Sequence, residues 1–374
     1  MTENRNRFET QVIHAGEPNP TVRGAVTTPI FQSSTFEYTG QNNYFDLKYI
    51  RLSNTPNHEV LHRKLSILEK GEGALVCSSG MAAISTALLS LLESGDHLLA
   101  QEGLYGGTHH LIAEDFSAFN INCDFIDGND PDSWESLLRS RTRIIYVEAL
   151  TNPLLQVADL RAVVEFSKTH NLLALIDSTF LSPVNFHPLE LGFDLCLHSG
   201  TKYLNGHSDI VAGAIIGSRT LIDKINRRLA HLGGVLDPHA CFLFNRGLKT
   251  LVVRVKYQND SALHVAQFLE GHPSVKKVYY PGLKSHPQHE RACSLFRGFG
   301  GVLSFELRGG MESAKSFMQQ ITLPFVAPSL GGVETLITLP AVTSHSGLSP
   351  ETRLDLGISD SLVRLSVGLE SRED

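Results

Sequence analysis

The chain has 374 residues, more than the roughly 250 to 300 at which a single core stops growing, so two domains are expected. Its net charge of -7, with acidic and basic residues interspersed, gives no basic stripe for nucleic acid and no polybasic patch for a membrane, and leaves a small molecule as the expected partner. Five cysteines (Cys77, Cys123, Cys196, Cys241 and Cys293), widely spaced and without a Cys-x-x-Cys pair, argue against a disulfide framework or a zinc ribbon and fit a reducing cytoplasm.

In chain order, residues 1–57 come first. They start polar, Met1 to Arg7, without the apolar core of an export signal, and continue rich in Thr, Asn and Pro with little helical period. This reads as an arm reaching over a neighbour. Strand-like runs at 74–77, 97–101, 121–126, 143–149, 172–177 and 194–198 then alternate with helical patterns at 81–92, 106–118, 132–140 and 159–169, the signature of a mostly parallel α/β sheet. The most apolar window, Ala74 to Leu92, is interrupted by Ser78, Ser79, Gly80, Ser85, Thr86 and Ser90, so strand, loop and helix describe it better than a membrane span. A helical stretch from Asp237 to Glu270 leads to a second region, with strands Gly301 to Leu307 and Ser361 to Gly368 beside helices at 311–320 and 350–356. The expected division is an arm over 1–57, a ligand-binding domain over 58–245 and a smaller C-terminal α/β domain over 246–374. No repeat and no Gly-x-Gly-x-x-Gly fingerprint asks for a dinucleotide.

The chemistry gathers at strand ends. Lys202 follows Ser199, Gly200 and Thr201, and an amine preceded by two hydroxyls and a glycine suits Schiff-base chemistry beside a bound phosphate. Asp177 closes the apolar run from Leu172, which delivers one carboxylate to the edge where open α/β sheets place their ligands. Ser78-Ser79-Gly80 forms a tight strand-to-helix turn whose N–H groups can hold an anion. Each alone has an ordinary reading: a surface lysine, a turn aspartate, a helix N-cap. Their convergence on one crevice matches what pyridoxal phosphate (PLP) requires, namely an amine for its aldehyde, an acid for its ring nitrogen and donors for its phosphate. Arg364 sits in the apolar strand pattern Leu362-Val363-Arg364-Leu365, where a charge is costly unless it meets an anion such as a substrate carboxylate. Metal catalysis is not expected, since His109 and His110 are adjacent on a helix and share no face, and no Gly-x-Ser-x-Gly elbow marks a serine hydrolase.

Ser79-Gly80-Met81, Asp177-Ser178-Thr179, Ser199-Gly200-Thr201-Lys202-Tyr203 and Leu362 to Gly368 together resemble the Cys/Met-metabolism (trans-sulfuration) PLP enzymes, and the likeness runs from about Gln11 to Glu370. The resemblance implies the aspartate-aminotransferase-like fold type I, with a mostly parallel seven-stranded sheet and a smaller C-terminal domain. It also implies roles. Lys202 carries the cofactor and moves protons, and Asp177 faces the ring nitrogen. Tyr105, in Leu104-Tyr105-Gly106-Gly107, stacks on the ring and can exchange a proton with substrate or leaving group. Ser199, Thr201 and the N–H groups of Gly80 and Met81 meet the phosphate, after the cup that Ser79 opens. Arg364 binds the α-carboxylate, with Asn152 and Ser329 nearby. Tyr49 and Arg51 resemble a Tyr-x-Arg that reaches the phosphate of the adjacent subunit, which implies an active-site-sharing dimer, doubled to a homotetramer.

The implied reaction is γ-elimination or γ-replacement on a sulfur amino acid, of the cystathionine γ-lyase or cystathionine γ-synthase type. Ser329-Leu330-Gly331-Gly332-Val333-Glu334 resembles the γ-type segment, whereas enteric β-lyases carry a Trp after the Ser and the only Trp here is Trp134. Methionine γ-lyases typically place Cys where Gly107 stands. Lys48 occupies a position where cystathionine-handling relatives often have an acid, and Asn54-Thr55-Pro56-Asn57 replaces the usual Asn-Pro-Thr. A cystathionine β-lyase or methionine γ-lyase, an aminotransferase, and a non-catalytic α/β protein are the remaining alternatives.

Overall fold

The computed structural model describes residues 6–344, 346 and 349–374, so most of the polar start read for an export signal lies outside the described residues. Seven apolar runs pair into one sheet in the order β1 (Gly73–Cys77), β7 (Gly213–Gly217), β6 (Leu195–Ser199), β5 (Leu173–Asp177), β4 (Thr142–Glu148), β2 (His97–Gln101) and β3 (Asn122–Ile126). All pairs are parallel except those of β7, which runs antiparallel to β1 and β6. β1, β2 and β7 are buried at every residue, as a sheet covered by helices on both faces demands, and two separate apolar clusters fill the space above and below it.

A second sheet has the order β10 (Phe325–Val326), β11 (Leu336–Thr338), β12 (Leu362–Ser366), β9 (Val302–Leu307) and β8 (Val275–Tyr279). It has its own core, built from Leu303, Phe305 and Val363 against Ala262 and Ala266 of the long helix Leu251–Glu270. The molecule therefore has the fold type I architecture that the resemblance implied, a mixed seven-stranded sheet and a smaller five-stranded one. Among the described residues no helix is long and apolar enough to cross a membrane.

Several elements differ from the sequence reading. The stretch before the first strand contains a helix Phe8–His14 and a helix Pro56–Leu68 that packs under β1 with Leu61, Leu65 and Leu68 fully buried. The helical stretch through Glu270 is two helices, Pro238–Leu248 and Leu251–Glu270, and a helix Arg219–Leu232 precedes them. The pattern at 106–118 is helical throughout but passes through a π turn at Leu111–Asp115. The pattern at 132–140 yields only a turn of α-helix, Pro131–Trp134, with a 3₁₀ turn after it.

Candidate active site

Three parallel strands end side by side, and the register pairs Glu148 of β4 with Asp177 of β5 and Asp177 with Leu197 of β6. After Ser199 the chain turns through Gly200 and Thr201 and presents Lys202. Buried Arg254, on the long helix, fixes this turn by donating to the carbonyls of Tyr203 (2.8 Å) and Gly247 (2.9 Å). Opposite it, Ser79 caps the helix Gly80–Leu91 by accepting the Ala82 N–H at 2.9 Å, and the first N–H groups of that helix, at Gly80 and Met81, have no partner within it. Gly80 is needed for closeness: a Cβ there would lie 2.9 Å from the Ser199 Cβ.

These elements surround a cavity of about 860 Å³. Ser79, Gly80, Met81, Tyr105, Asn152, Asp177, Ser199, Thr201, Lys202, Ser329 and Arg364 all line it. The Lys202 amine donates to the Ser329 hydroxyl at 2.7 Å. Ser329 itself holds a φ of +100°, a strained conformation for a residue with a side chain, and so lies where its neighbours require rather than where its backbone prefers. Its carbonyl accepts from Arg364 at 3.0 Å, and the other arm of that guanidinium donates to the Asn152 amide oxygen at 3.0 Å. Arg364 is 6% exposed, and among the described residues no carboxylate pairs with it. A buried guanidinium held by two neutral oxygens is a site for an anion.

Electrostatics divide the floor from the wall. Burial, and then the charge of Arg364, pull the Lys202 amine down to about 8. Burial pushes the Asp177 carboxyl upward, opposed by the Thr179 N–H that it accepts at 2.8 Å and by nearby His198. Burial and then the neighbouring Asp177 push Glu148 well above the usual carboxylate range.

The family model for Cys/Met metabolism PLP-dependent enzymes matches residues 9–374. The chain belongs to this family. A cystathionine β-lyase of Coxiella burnetii is 39% identical over 380 residues, covering 100% of this chain and 98% of that protein. A cystathionine γ-lyase of Bacillus subtilis is 40% identical, covering 98% and 96%. The crystal structure of cystathionine γ-synthase from Xanthomonas oryzae pv. oryzae, in complex with aminoacrylate and cysteine, superimposes with a TM-score of 0.94 at 39% identity, over 98% of this chain and 95% of that one.

The cofactor of this PLP-dependent family fits what the cavity of this enzyme offers. An amine of lowered basicity, a carboxylate at the end of β5, a helix N-terminus and a Ser199 hydroxyl without a hydrogen bond among the described residues face one space, and a Tyr105 ring that is 47% exposed stands at its side. The Thr201 hydroxyl is partly committed, since it accepts the Ala212 N–H at 3.0 Å and meets the Ala212 carbonyl at 3.2 Å.

Tyr49 and Arg51 are not brought to the cavity of their own chain: Arg51 donates to the Ala230 carbonyl (2.8 Å) and the Tyr44 hydroxyl (2.6 Å), and packs over the Tyr49 ring. Lys48 is also engaged elsewhere, in an ion pair with Glu59. The sequence reading missed Glu148, named Thr179 only within a motif and set His110 aside as no metal ligand, yet all three line the cavity. Glu148 had the same signal as Asp177, an acid closing an apolar strand. It also missed a buried group beneath the sheet, where His198 Nε2 lies 2.6 Å from Glu69 and 3.2 Å from the Cys196 sulfur, ligand types that also suit a metal. No sequence signal unites these three, because Glu69 lies 127 residues from Cys196 and comes from another element.

Proposed function

We propose that this enzyme acts at the γ-carbon of sulfur amino acids, by γ-elimination or γ-replacement, with Lys202 as the base and Arg364 as the carboxylate anchor. The observation that carries the reading is the chain Lys202, Ser329, Arg364 and Asn152, each hydrogen-bonded to the next along one wall, with Asp177 at the floor. When bound, the cofactor supplies an aldehyde carbon for amines and an electron-withdrawing ring that acidifies the substrate's α-hydrogen. Lys202 and Asp177 would hold its two ends, and Ser79, Gly80, Met81, Ser199 and Thr201 would hold its phosphate.

The rest follows from this chain's own groups. Arg364 binds the substrate carboxylate in a paired fork and so fixes which bond at the α-carbon faces Lys202. A neutral Lys202 amine takes the α-proton and, once relieved of it, can take a second proton from the β-carbon, whose bonding pair then lets the γ-substituent leave with its own electrons, while the Ser329 hydroxyl keeps the freed amine in the cavity. Leu150, Phe180 and Leu330 line the same space and exclude water. Tyr105, by its place on the open side, serves the leaving group.

Relatives named for β- and γ-chemistry share about the same identity with this chain, so the choice rests on the Ser329-to-Glu334 segment and on Gly107. We place Tyr49 and Arg51 at a neighbouring subunit's phosphate, within a cytoplasmic homotetramer of arm (1–57), cofactor-binding (58–245) and C-terminal (246–374) parts. Borohydride reduction of the holoenzyme followed by peptide mass analysis is expected to find pyridoxyl on Lys202. In a panel of L-cystathionine, L-methionine, L-cysteine, and O-acyl-L-homoserine with cysteine, the γ-substituted members are expected to give 2-oxobutanoate and ammonia, the last pair alternatively cystathionine, and L-cysteine alone, whose sulfur sits on the β-carbon, is expected to give no 2-oxobutanoate. Pyruvate from cystathionine with no 2-oxobutanoate would assign a β-lyase instead, and a requirement for an oxo-acid acceptor would assign an aminotransferase.

A further inference from the structure

Glu148 stands at the end of β4 in register with Asp177, is 5% exposed, and lines the cavity. Its carboxyl Oε1 accepts the Tyr105 N–H at 2.7 Å, and its own N–H donates to the Gln101 amide at the end of β2, at 2.9 Å. The loop from β2 to Tyr105 is thus tied to β4 at both ends. Tyr105 is the residue just before the helix Gly106–His110, so its N–H lies outside the helical ladder and needs this partner. The ring is confined from the other side as well: a Cβ on Gly107 would lie 2.7 Å from the Tyr105 ring and 3.1 Å from the Met81 sulfur.

We infer that Glu148 is a positioning residue: by accepting the Tyr105 N–H it sets where the Tyr105 ring stands over the cofactor space. It touches neither reacting atom and acts through Tyr105. The inference rests on the proposed reading that Lys202 and Asp177 hold the cofactor in this cavity. A glutamine keeps an uncharged acceptor oxygen at the same reach for the Tyr105 N–H, whereas a methionine keeps the length and removes the acceptor.

The test uses wild-type, E148Q, E148M and E148D holoenzymes, each loaded with PLP, and reads the visible circular dichroism of the bound cofactor beside kcat and KM. Visible dichroism reports the asymmetric packing of the ring and is not moved by a loss of stability alone. E148M is expected to keep the cofactor colour, lose most of the dichroism and fall about 10- to 100-fold in kcat, with a smaller change in KM. E148Q is expected to stay within about threefold of wild type in every readout. Dichroism and kcat unchanged in E148M would overturn the inference, as would an E148Q as damaged as E148M, which would assign the effect to the carboxyl proton. Should E148M fail to fold, E148D decides: its oxygen is withdrawn by one carbon, so a loss of dichroism supports the inference and wild-type behaviour overturns it. A wild type that takes up no PLP overturns the functional reading itself, which a coloured wild type with an unaffected E148M does not.

Discussion

Lys202 gains its reactivity from its surroundings. In water a lysine amine is protonated up to about pH 10, and a protonated amine attacks no aldehyde. Burial and the neighbouring guanidinium lower this one to about 8, so the neutral form is a sizeable minority at neutral pH and the majority above 8. Uptake of PLP by the apoenzyme is therefore expected to accelerate about tenfold per pH unit below that value and to level off above it, followed by stopped-flow absorbance. A rate flat across the neutral range would contradict the environment described. Arg364 is also buried, and among the described residues its charge pairs with no carboxylate, which is why it is proposed to bind that of the substrate. Arg364→Ala is expected to lower kcat/KM by roughly thirtyfold to a thousandfold, about 2–4 kcal/mol, mainly through KM. Arg364→Lys should recover little of it, because a point charge does not reproduce the fork. Unchanged steady-state constants would remove Arg364 from the site.

At the scale of elements, the turn after β6 is held by one side chain from far along the chain. Arg254 is 3% exposed and donates to the Tyr203 and Gly247 carbonyls, so Arg254→Met takes the guanidinium from the buried Tyr203 carbonyl and leaves the Gly247 carbonyl only its Thr250 donors. The expected loss is about 2–4 kcal/mol in chemical denaturation, with faster release of cofactor because Lys202 lies on the released turn. A variant as stable as wild type would mean that water replaces the guanidinium. This contact also marks the limit of what the sequence discloses. β1, β2, β5 and β6 were legible because each is a short apolar run between turn residues, and Asp177 and Lys202 were legible because they sit at the ends of such runs. β7 was not, since Gly213-Ala214-Ile215-Ile216-Gly217 is bounded and begun by glycine and reads as loop. β10 and β11 have two and three residues, too few for any period, and exist because they pair with a longer neighbour. Of the site, the residues next in sequence to a recognisable motif were found. Glu148 closes an apolar strand as Asp177 does but belongs to no recognisable motif, and Arg254 lies far from one, so neither was found, and the N–H and carbonyl groups they serve are identified only by the folded chain.

At the scale of the whole molecule, the cavity is assembled from both sheets, Lys202 and Asp177 from the larger and Arg364 from the smaller, while Tyr49 and Arg51 stay away from it in their own chain. The segment that carries them leaves large apolar side chains in the open: Val26 is 89% exposed, Tyr38 66% and Tyr44 51%. Exposed apolar side chains of this kind fit the proposed contact with a neighbouring subunit. If that neighbour's cavity is where Arg51 acts, two defective chains can repair each other. Arg51→Ala and Lys202→Ala are each expected to be nearly inactive alone. Dissociated together and reassembled, half of the dimers pair one chain of each kind, and in each such pair one of the two sites draws its lysine and its arginine from intact sequence. Recovery of about a quarter of wild-type activity is therefore expected. Were Arg51 to serve only its own chain, every site in the mixture would still lack one residue, and no activity would return.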